Sequence, residues 1–227
     1  MIFLNSNDWQ SFLLPYELAV EGFIVKLESI RKQYILKGLY NPIEIVTGRV
    51  KTVEAILQKA TRLEIESSDI PEKIQDIAGV RIICKYIDDV YLVQDLITSR
   101  RDLKIITIKD YVKKPKPSGY QSLHIIAQYV TETIEGPNTI YIEFQVRTHV
   151  MHFWASIEHS LNYKYDYQIP GTIKFRLLKA SQAAQKLDVE MTKIKKTIDK
   201  LEEKHELKKA KNPLEEKEYK LNSVRKE

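Results

Sequence analysis

Two acidic side chains beside predicted β-strands could act together on a substrate that carries phosphate. Glu143 lies within residues 141–147, where apolar and polar residues alternate strictly, as in a strand with one buried face. Asp76 lies shortly before residues 80–87, an apolar, β-branched run that predicts a central strand. If these strands are neighbours, Asp76 and Glu143 could jointly hold Mg²⁺, which prefers carboxylate and phosphate oxygens. Alternation alone is equally typical of an ordinary strand with one solvated face, so the inference depends on other segments.

Basic side chains at helical spacing could neutralise such phosphates. A helix is predicted over residues 47–63, and the spacing places Lys51, Lys59 and Arg62 on one of its faces. Arg49 lies at the predicted entrance of this helix, where free backbone N–H groups favour anions. A basic helix face is usually just solvated, but beside two carboxylates it favours a phosphate-binding function.

A further basic segment ends beside an aromatic residue. Residues 100–116 contain seven basic and two acidic residues, an excess of five that equals the net charge of +5 of the whole chain. This concentration is typical of a polyphosphate or nucleic-acid partner, although a solvated lysine-rich loop has the same pattern. Tyr120 follows Gly119, and a ring beside a glycine turn can stack on a nucleobase. Acid pair, cations and ring together indicate phosphoryl-type transfer between nucleotides, which depends on positioning and charge neutralisation.

The composition limits the class of protein. A chain of 227 residues is long enough for one domain with a hydrophobic core and a helical appendage. No apolar run approaches the roughly 20 residues that span a bilayer, and residues 1–10 do not resemble a signal peptide. The single cysteine, Cys84, excludes an internal disulfide and suits a reducing compartment. We expect a cytoplasmic protein with no membrane partner.

The predicted elements mix helices and strands and indicate an α/β (α+β) fold. We expect a mixed, mostly antiparallel sheet that is flanked by helices and followed by a long C-terminal helix. The predicted strands cover residues 80–87, 103–112, 120–130 and 140–147. The predicted helices cover residues 8–38, 47–63, 88–99 and 149–167 and a last segment after residue 171.

The last predicted helix carries a sustained apolar seam. The apolar residues recur at steps of three and four and are Leu177, Ala180, Ala184, Leu187, Met191, Ile194, Ile198 and Leu201. Such a seam is typical of helix pairing and predicts a homo-oligomer. The residues after Leu201 are mostly charged, and we expect them to fray or to be disordered.

Five segments, taken together and in this order, resemble the motifs of the RelA/SpoT synthetase domain. The segments are Thr47-Gly48-Arg49-Val50-Lys51, Asp76-Ile77-Ala78-Gly79-Val80-Arg81, Ser118-Gly119-Tyr120-Gln121-Ser122-Leu123-His124, Glu143-Phe144-Gln145-Val146-Arg147-Thr148, and Trp154-Ala155-Ser156-Ile157-Glu158-His159-Ser160-Leu161-Asn162-Tyr163-Lys164. The resemblance covers roughly residues 10–200. It is to the stand-alone small alarmone synthetases of the RelP/RelQ group, and closer to RelP.

The resemblance implies a nucleotidyltransferase-like synthetase fold and a GTP pyrophosphokinase that makes (p)ppGpp, the alarmone of the stringent response. Such an enzyme transfers the β,γ-pyrophosphoryl group of ATP to the 3′-hydroxyl of GDP or GTP and releases AMP. The sequence contains no His-Asp pair and has no room for a hydrolase domain, so we expect synthesis without hydrolysis. The implied organisation is an N-terminal helical segment (1–45), a synthetase domain (46–168), an oligomerisation helix (169–205) and a charged tail (206–227).

The resemblance also implies a role for each matching residue. The residues implied to bind ATP are Arg49, Lys51, Lys59, Arg62 and Arg81. The residues implied to bind the GDP or GTP acceptor are Lys116, Tyr120, His124, Gln145 and Asn162. Asp76 and Glu143 would bind Mg²⁺, and Glu143 would also accept the proton of the attacking hydroxyl. The oligomer implied by the resemblance is a tetramer.

Two other functions fit parts of this pattern. A nucleotidyltransferase that extends RNA would normally show an Asp-x-Asp pair behind a Gly-Ser turn, and Asp88-Asp89 lacks that spacing. A single-stranded RNA-binding module could use residues 100–116 and Tyr120. That module would leave the helix-borne cations and the acid pair without a role, so RNA is a possible partner but not the expected substrate.

Overall fold

The computed structural model describes the backbone of residues 6–164 and 170–211 and the side chains of residues 8–161 and 170–205. The helices are α1 (Ser6–Leu36), α2 (Val53–Arg62), α3 (Ile70–Lys73), α4 (Ile87–Thr98), α5 (His149–Lys164) and α6 (Gly171–Lys211), and a 3₁₀ turn (Ser67–Asp69) precedes α3. The strands are β1 (Ile45–Val50), β2 (Ala78–Cys84), β3 (Lys104–Asp110), β4 (Leu123–Thr133) and β5 (Gly136–Thr148).

The strands form one mixed sheet in the order β1-β2-β5-β4-β3. β2 and β5 run parallel, and the other three neighbouring pairs are antiparallel. The expected α+β fold, with a mostly antiparallel sheet and a long C-terminal helix, is confirmed. β5, which carries Glu143, lies between β2 and β4 at the centre of the sheet.

Helices α1 and α4 cover the apolar face of the sheet. The buried residues of α1 recur at helical spacing and are Tyr16, Ala19, Val20, Phe23 and Leu27. The Phe23 ring packs edge-on against Phe144 of β5 and Tyr129 of β4, with ring centroids 5.1 Å and 4.9 Å away. Gly48 of β1 lies so close to α1 that a Cβ atom there would overlap the Val20 side chain. These contacts fix the central strand against its supporting helix.

The helix predicted over residues 47–63 is wrong in its first part. The first residues of that range belong to β1, which pairs antiparallel with β2, and α2 begins only at Val53. The Thr52 side chain caps α2 by accepting a hydrogen bond from a backbone N–H of its first turn. β1 is rich in β-branched residues, and its pairing with β2 outweighs the helical spacing of the basic side chains. The sheet therefore has five strands, one more than predicted.

Helix α6 attaches to the rest of the protein through polar contacts. The hydrogen bonds that attach it join Trp154 to Leu177, Gly119 to Ser181, Thr148 to Asp188 and Ile87 to Thr192. From Leu187 onward the predicted seam points away from these contacts, and Leu187 and Ile194 are 55% and 45% exposed, whereas Ala184 faces the docked side and lines a small pocket with Ser181. The apolar face of α6 is therefore available for another helix.

The predicted tail lies mostly outside the part that the structure describes. α6 continues to Lys211, and residues 212–227 fall outside the described residues, as do residues 165–169 between α5 and α6. Within residues 6–164 and 170–211, no helix combines the length and the apolar character needed to cross a membrane.

Candidate functional site

The strand register brings the predicted site residues onto the polar face of the sheet. In one row, Arg81 of β2 and His124 of β4 lie on either side of Gln145 of β5. In the neighbouring row, Glu143 lies beside Gly79, which in turn pairs with Arg49 of β1. Parallel pairing of β2 with β5 thus places the two predicted motif strands side by side, as the acid-pair inference required.

Asp76 is the centre of a cation cluster just before β2. Lys59 Nζ of α2 lies 2.7 Å from Asp76 Oδ1, and Lys51 Nζ lies 3.0 Å from Asp76 Oδ2. Burial would raise the pKa of Asp76, but the hydrogen bonds and charges of the two lysines outweigh it and lower the pKa below its ordinary value. The prediction that Lys51 and Lys59 share one face of a helix is wrong, because Lys51 precedes the first residue of α2. The two side chains nevertheless converge, because both reach the same carboxylate.

Arg49 and Arg81 line a small pocket at the β1–β2 edge of this face, together with Gln145. Burial, followed by repulsion from Arg147 and Arg49, lowers the pKa of Arg81 from its ordinary value. Arg81 Nε is buried and has no hydrogen-bond partner among the described residues. A pocket with two guanidinium groups, one of them incompletely hydrogen-bonded, can bind an anion or a planar base.

Glu143 is buried and held by two donors. His124 Nδ1 lies 2.8 Å from Glu143 Oε1, and Gln145 Nε2 donates to Oε2 at 2.6 Å. Burial would raise the pKa of Glu143, but these contacts outweigh it and lower the pKa below its ordinary value. Glu143 is therefore an oriented, ionised carboxylate at neutral pH.

A chain of hydrogen bonds connects Glu143 to Tyr120, which lies in the turn before β4. The carboxylate can only accept, so His124 donates to it from Nδ1, and the other ring nitrogen, Nε2, is hydrogen-bonded to the Tyr120 hydroxyl at 2.8 Å. The Tyr120 oxygen in turn accepts from Arg147 Nη2 at 2.5 Å. Lys116 Nζ lies 5.0 Å from the centre of the Tyr120 ring. Four of the five predicted acceptor residues therefore form one connected group, which consists of Lys116, Tyr120, His124 and Gln145.

Arg147 belongs to this group, although no specific role was assigned to it from the sequence. It is 5% exposed, and it donates to Ser122 at 3.2 Å and to Gln145 at 2.9 Å in addition to Tyr120. The alternation of residues 141–147 already placed Arg147 on the same face as Glu143, and that pattern was the available signal. A buried arginine with hydrogen bonds to Tyr120, Gln145 and Ser122 fixes the relative positions of the predicted acceptor residues before β4 and on β5.

No described contact joins two of the predicted nucleotide-binding residues to the rest of the site. Arg62 lies exposed at the C-terminal end of α2 and makes no hydrogen bond or ion pair with any described residue. The side chain of Asn162 lies outside the described part of the chain. Their roles stay predictions.

Asp76 and Glu143 fit a hard divalent cation. Both carboxylates have a lowered pKa, and they are close enough for Asp76 to oppose the ionisation of Glu143. No group of three or more His, Cys, Asp or Glu side chains that could hold a metal occurs among the described residues. Mg²⁺ commonly takes one or two carboxylates and completes its shell with water and substrate phosphates. The pair therefore suits Mg²⁺ bound together with a nucleotide rather than a closed metal site.

Comparison with known proteins defines the family. A model of the region found in RelA/SpoT proteins matches residues 48–168, which is more than half of the chain. The chain belongs to the RelA/SpoT family. This range begins within β1, extends through α5 and includes all the side chains of the candidate site that are described above.

Individual RelA/SpoT relatives match over almost their whole length. The chain is 45% identical over 192 residues to GTP pyrophosphokinase YjbM of Bacillus subtilis (strain 168), an alignment that covers 85% of this chain and 90% of the relative. The crystal structure of small alarmone synthetase 1 from Bacillus subtilis bound to its product pppGpp is similar with a TM-score of 0.82 and 44% identity, over 85% of this chain and 99% of that one. The structure of the same synthetase bound to AMPCPP is similar with a TM-score of 0.75 and 42% identity, over 86% and 100% of the two chains. The resemblance to small alarmone synthetases is confirmed, and the closer resemblance to RelP stays a prediction.

Proposed function

We propose that the protein is a (p)ppGpp synthetase, which transfers the pyrophosphoryl group of ATP to the 3′-hydroxyl of GDP or GTP and releases AMP. The observation that carries this proposal is the clustering of charged and polar groups at the polar face of the sheet. Two ionised carboxylates, four cations and a tyrosine whose hydroxyl is hydrogen-bonded lie together there. The relatives named as GTP pyrophosphokinases and the neighbour bound to pppGpp support the same reaction. No described feature favours RNA extension or RNA binding over it.

ATP would bind at the β1–β2 side of the face. Arg49 and Arg81 would hold the adenine between their planar guanidinium groups, which lysine could not replace. Lys51 and Lys59 would turn from Asp76 toward the phosphates. Both side chains are partly buried beside the site, so a phosphate group could replace the carboxylate as their partner. The neighbour bound to AMPCPP supports an ATP site in this fold. Arg62, which is exposed one turn after Lys59 on α2, would join the two lysines at the phosphates.

The acceptor nucleotide would bind at the β4–β5 side. Tyr120 would stack on the guanine, with Arg147 and His124 holding its hydroxyl. Lys116, Gln145 and Asn162 would fix the remainder of GDP or GTP. Glu143 would accept the proton of the 3′-hydroxyl, since it is ionised and oriented by two donors.

Asp76 and Glu143 would hold Mg²⁺ when nucleotide is bound. The ion would supply neutralisation of charge on the phosphate oxygens during transfer. Each carboxylate oxygen has more than one lone-pair site, so its present hydrogen bond does not prevent binding of a cation.

The test is a direct assay of the reaction. Purified protein is incubated with Mg²⁺, ATP and labelled GDP or GTP, and the nucleotides are separated. We expect AMP and the pyrophosphorylated acceptor to form in equal amounts, and no pyrophosphate to be released from added product. Formation of ADP, or extension of added RNA in place of AMP release, would contradict the proposal.

The protein is also proposed to be a cytoplasmic homo-oligomer, and a tetramer by family resemblance. The support is the exposed apolar seam of α6, in which Leu187 and Ile194 are 55% and 45% exposed. Replacing both by glutamate should dissociate the oligomer, because a paired seam would bury the two charges. Lys186→Glu, an exposed change beside the seam, is the matched control and should leave the mass unchanged. Light scattering that shows wild-type monomers at micromolar concentration would contradict the seam as an interface.

A further inference from the structure

We infer that Ser181 of α6 is a positioning residue for the acceptor nucleotide, although it does not line the catalytic face. The inference rests on the proposed role of Tyr120 in stacking on the guanine. Ser181 is 6% exposed, and its hydroxyl donates to the backbone carbonyl of Gly119 at 2.5 Å. This carbonyl belongs to the peptide group that leads directly into Tyr120.

The peptide group between Gly119 and Tyr120 is held on both of its polar atoms. Its carbonyl accepts from Ser181, and its N–H donates to the Ser118 hydroxyl at 3.3 Å. The turn around it is closed by two backbone bonds, from Gly119 N–H to the Lys116 carbonyl at 2.8 Å and from Lys116 N–H to the Tyr120 carbonyl at 3.0 Å. Since the plane of this peptide sets the direction of the Tyr120 side chain, Ser181 acts on the ring through the backbone.

The turn and α6 are also in close steric contact. Gly119 has a φ of +93°, which is in the region that favours glycine. A Cβ atom there would lie 2.6 Å from Ser181 Cβ and 3.3 Å from Leu178 Cδ1. The turn therefore rests directly on α6, and the helix limits how far the Tyr120 backbone can retreat when a base stacks on the ring.

Tyr120 is consequently fixed at two ends by two different parts of the fold. Arg147 and His124 hold the hydroxyl from the sheet, and Ser181 holds the backbone from α6. The polar contacts of α6 lie on the side opposite its exposed seam, so the same helix meets the acceptor turn on one side and solvent on the other. This arrangement predicts that removal of the Ser181 hydroxyl weakens acceptor binding and leaves ATP binding unchanged.

The test compares two buried hydroxyl groups of α6. Ser181→Ala removes the bond to the acceptor turn, whereas the control Thr192→Ala removes a bond to Ile87 at the start of α4. Tyr120→Ala gives the rise in KM for GDP and GTP that follows when the stacking ring itself is removed. We expect Ser181→Ala to raise KM for GDP and GTP roughly threefold to tenfold, in line with the loss of one buried hydrogen bond. KM for ATP and the oligomeric mass should stay at the wild-type values, and Thr192→Ala should leave every KM unchanged.

The outcomes separate this inference from the proposed function. An unchanged acceptor KM in Ser181→Ala, with a raised one in Tyr120→Ala, overturns the role of Ser181 and leaves that of Tyr120 intact. An acceptor KM that does not respond to Tyr120→Ala overturns the stacking role, and the positioning role with it. If Ser181→Ala and Thr192→Ala raise KM for ATP and KM for the acceptor by equal factors, the docking of α6 supports the fold as a whole and Ser181 does not position the acceptor. If Ser181→Ala is insoluble, Ser181→Cys retains a weaker donor of similar size and should give a smaller rise in the acceptor KM.

Discussion

Carboxylates are buried in two regions of the molecule and are held in opposite ways. On the polar face of the sheet, burial would raise the pKa values of Asp76 and Glu143, but lysine, histidine and amide donors outweigh it and lower them. Where α6 docks, burial prevails and raises the pKa values of Asp89 and Asp188, whose side-chain partners are hydroxyl groups. The first region stabilises negative charge, and the second tolerates a carboxylate as a hydrogen-bond acceptor.

This difference indicates which carboxylates do chemistry. A metal ligand or a general base acts in its ionised form, and of these four carboxylates only Asp76 and Glu143 lie among donors that lower the pKa below its ordinary value. Asp89 is 1% exposed and Asp188 is 2% exposed, so burial alone does not distinguish a functional acid from a structural one. The charged groups and hydrogen-bond donors around each carboxylate distinguish the two kinds of acid.

The largest expected effect comes from removing the charge of Glu143. Glu143→Gln keeps the size of the side chain but can neither accept the proton nor hold Mg²⁺ as a carboxylate does. We expect kcat to fall by about a hundredfold or more, the typical effect of losing a general base. Steady-state rates of AMP formation from ATP and GDP measure it, and a melting temperature near that of the wild type establishes that the variant is folded.

Asp188→Asn is the matched control in the other region. Asparagine keeps an oxygen that can accept from Thr148, so we expect kcat to stay within about twofold of the wild type. Loss of activity in Asp188→Asn equal to that in Glu143→Gln would break the distinction between the two regions. Retention of more than about a tenth of activity in Glu143→Gln would exclude its role as the base.

A smaller effect is expected from the cations that set the state of Asp76. Lys59→Met keeps the aliphatic stem and removes the charge, so it tests whether Lys59 serves the nucleotide or only the carboxylate. We expect KM for ATP to rise about tenfold, as for loss of one charge-assisted hydrogen bond, with little change in KM for GDP. Lys73→Met, an exposed lysine paired with Asp69, is the control. An unchanged KM for ATP in Lys59→Met would show that Lys59 supports Asp76 and does not bind the nucleotide.

The smallest expected effects are on stability and its dependence on pH. Ionisation of the carboxylate should stabilise the fold in the first region and destabilise it in the second. The lowered pKa of Asp76 means that its ionised form stabilises the fold above the unfolded pKa, near 4, and that this contribution is lost as pH falls through the folded value. Asp76→Asn should therefore lower the melting temperature by about 2–4 °C near pH 7, and by less as the pH approaches 4. Because the pKa of Asp188 is raised, its ionisation costs stability as pH rises through and above the unfolded value.

Asp188→Asn should consequently melt at or above the wild-type temperature near pH 7, with the difference shrinking toward pH 4. Thermal unfolding of both variants and the wild type across this range measures the two slopes. Parallel slopes for Asp76→Asn and Asp188→Asn would show that the two regions hold their carboxylates in the same way.

Much of the site was predictable from the sequence because its motifs lie on strands with a clear period of two. Residues 141–147 alternate, and this fixed which side chains would share a face with Glu143. The prediction of a helix over residues 47–63 was wrong for residues 47–52, because the helical spacing of basic residues and the β-branched composition favour different structures there. Only the pairing of β1 with β2 decides between them, and that pairing is not a local property.

The attachment of α6 could not be predicted for a related reason. Its apolar period is clear in the sequence, but from Leu187 onward it describes the face that points away from the domain. The face that docks carries isolated hydroxyl and carboxyl groups such as Ser181 and Asp188, which have no recognisable period. Arg147 received no specific role although its face was predicted correctly, because alternation does not distinguish a buried, hydrogen-bonded arginine from a solvated one.

The order of the strands has a consequence for how the chain folds. β5 is the last strand to be synthesised, yet it occupies the centre of the sheet between β2 and β4. Its parallel partner β2 ends at Cys84, and β5 begins only at Gly136, so β2 must keep one edge open while the intervening chain is made. Pairing of such distant segments is slow because the loop must close before its contacts form. The nascent protein therefore completes its sheet and acquires Glu143 in the same late step, and a chain released before β5 would have neither.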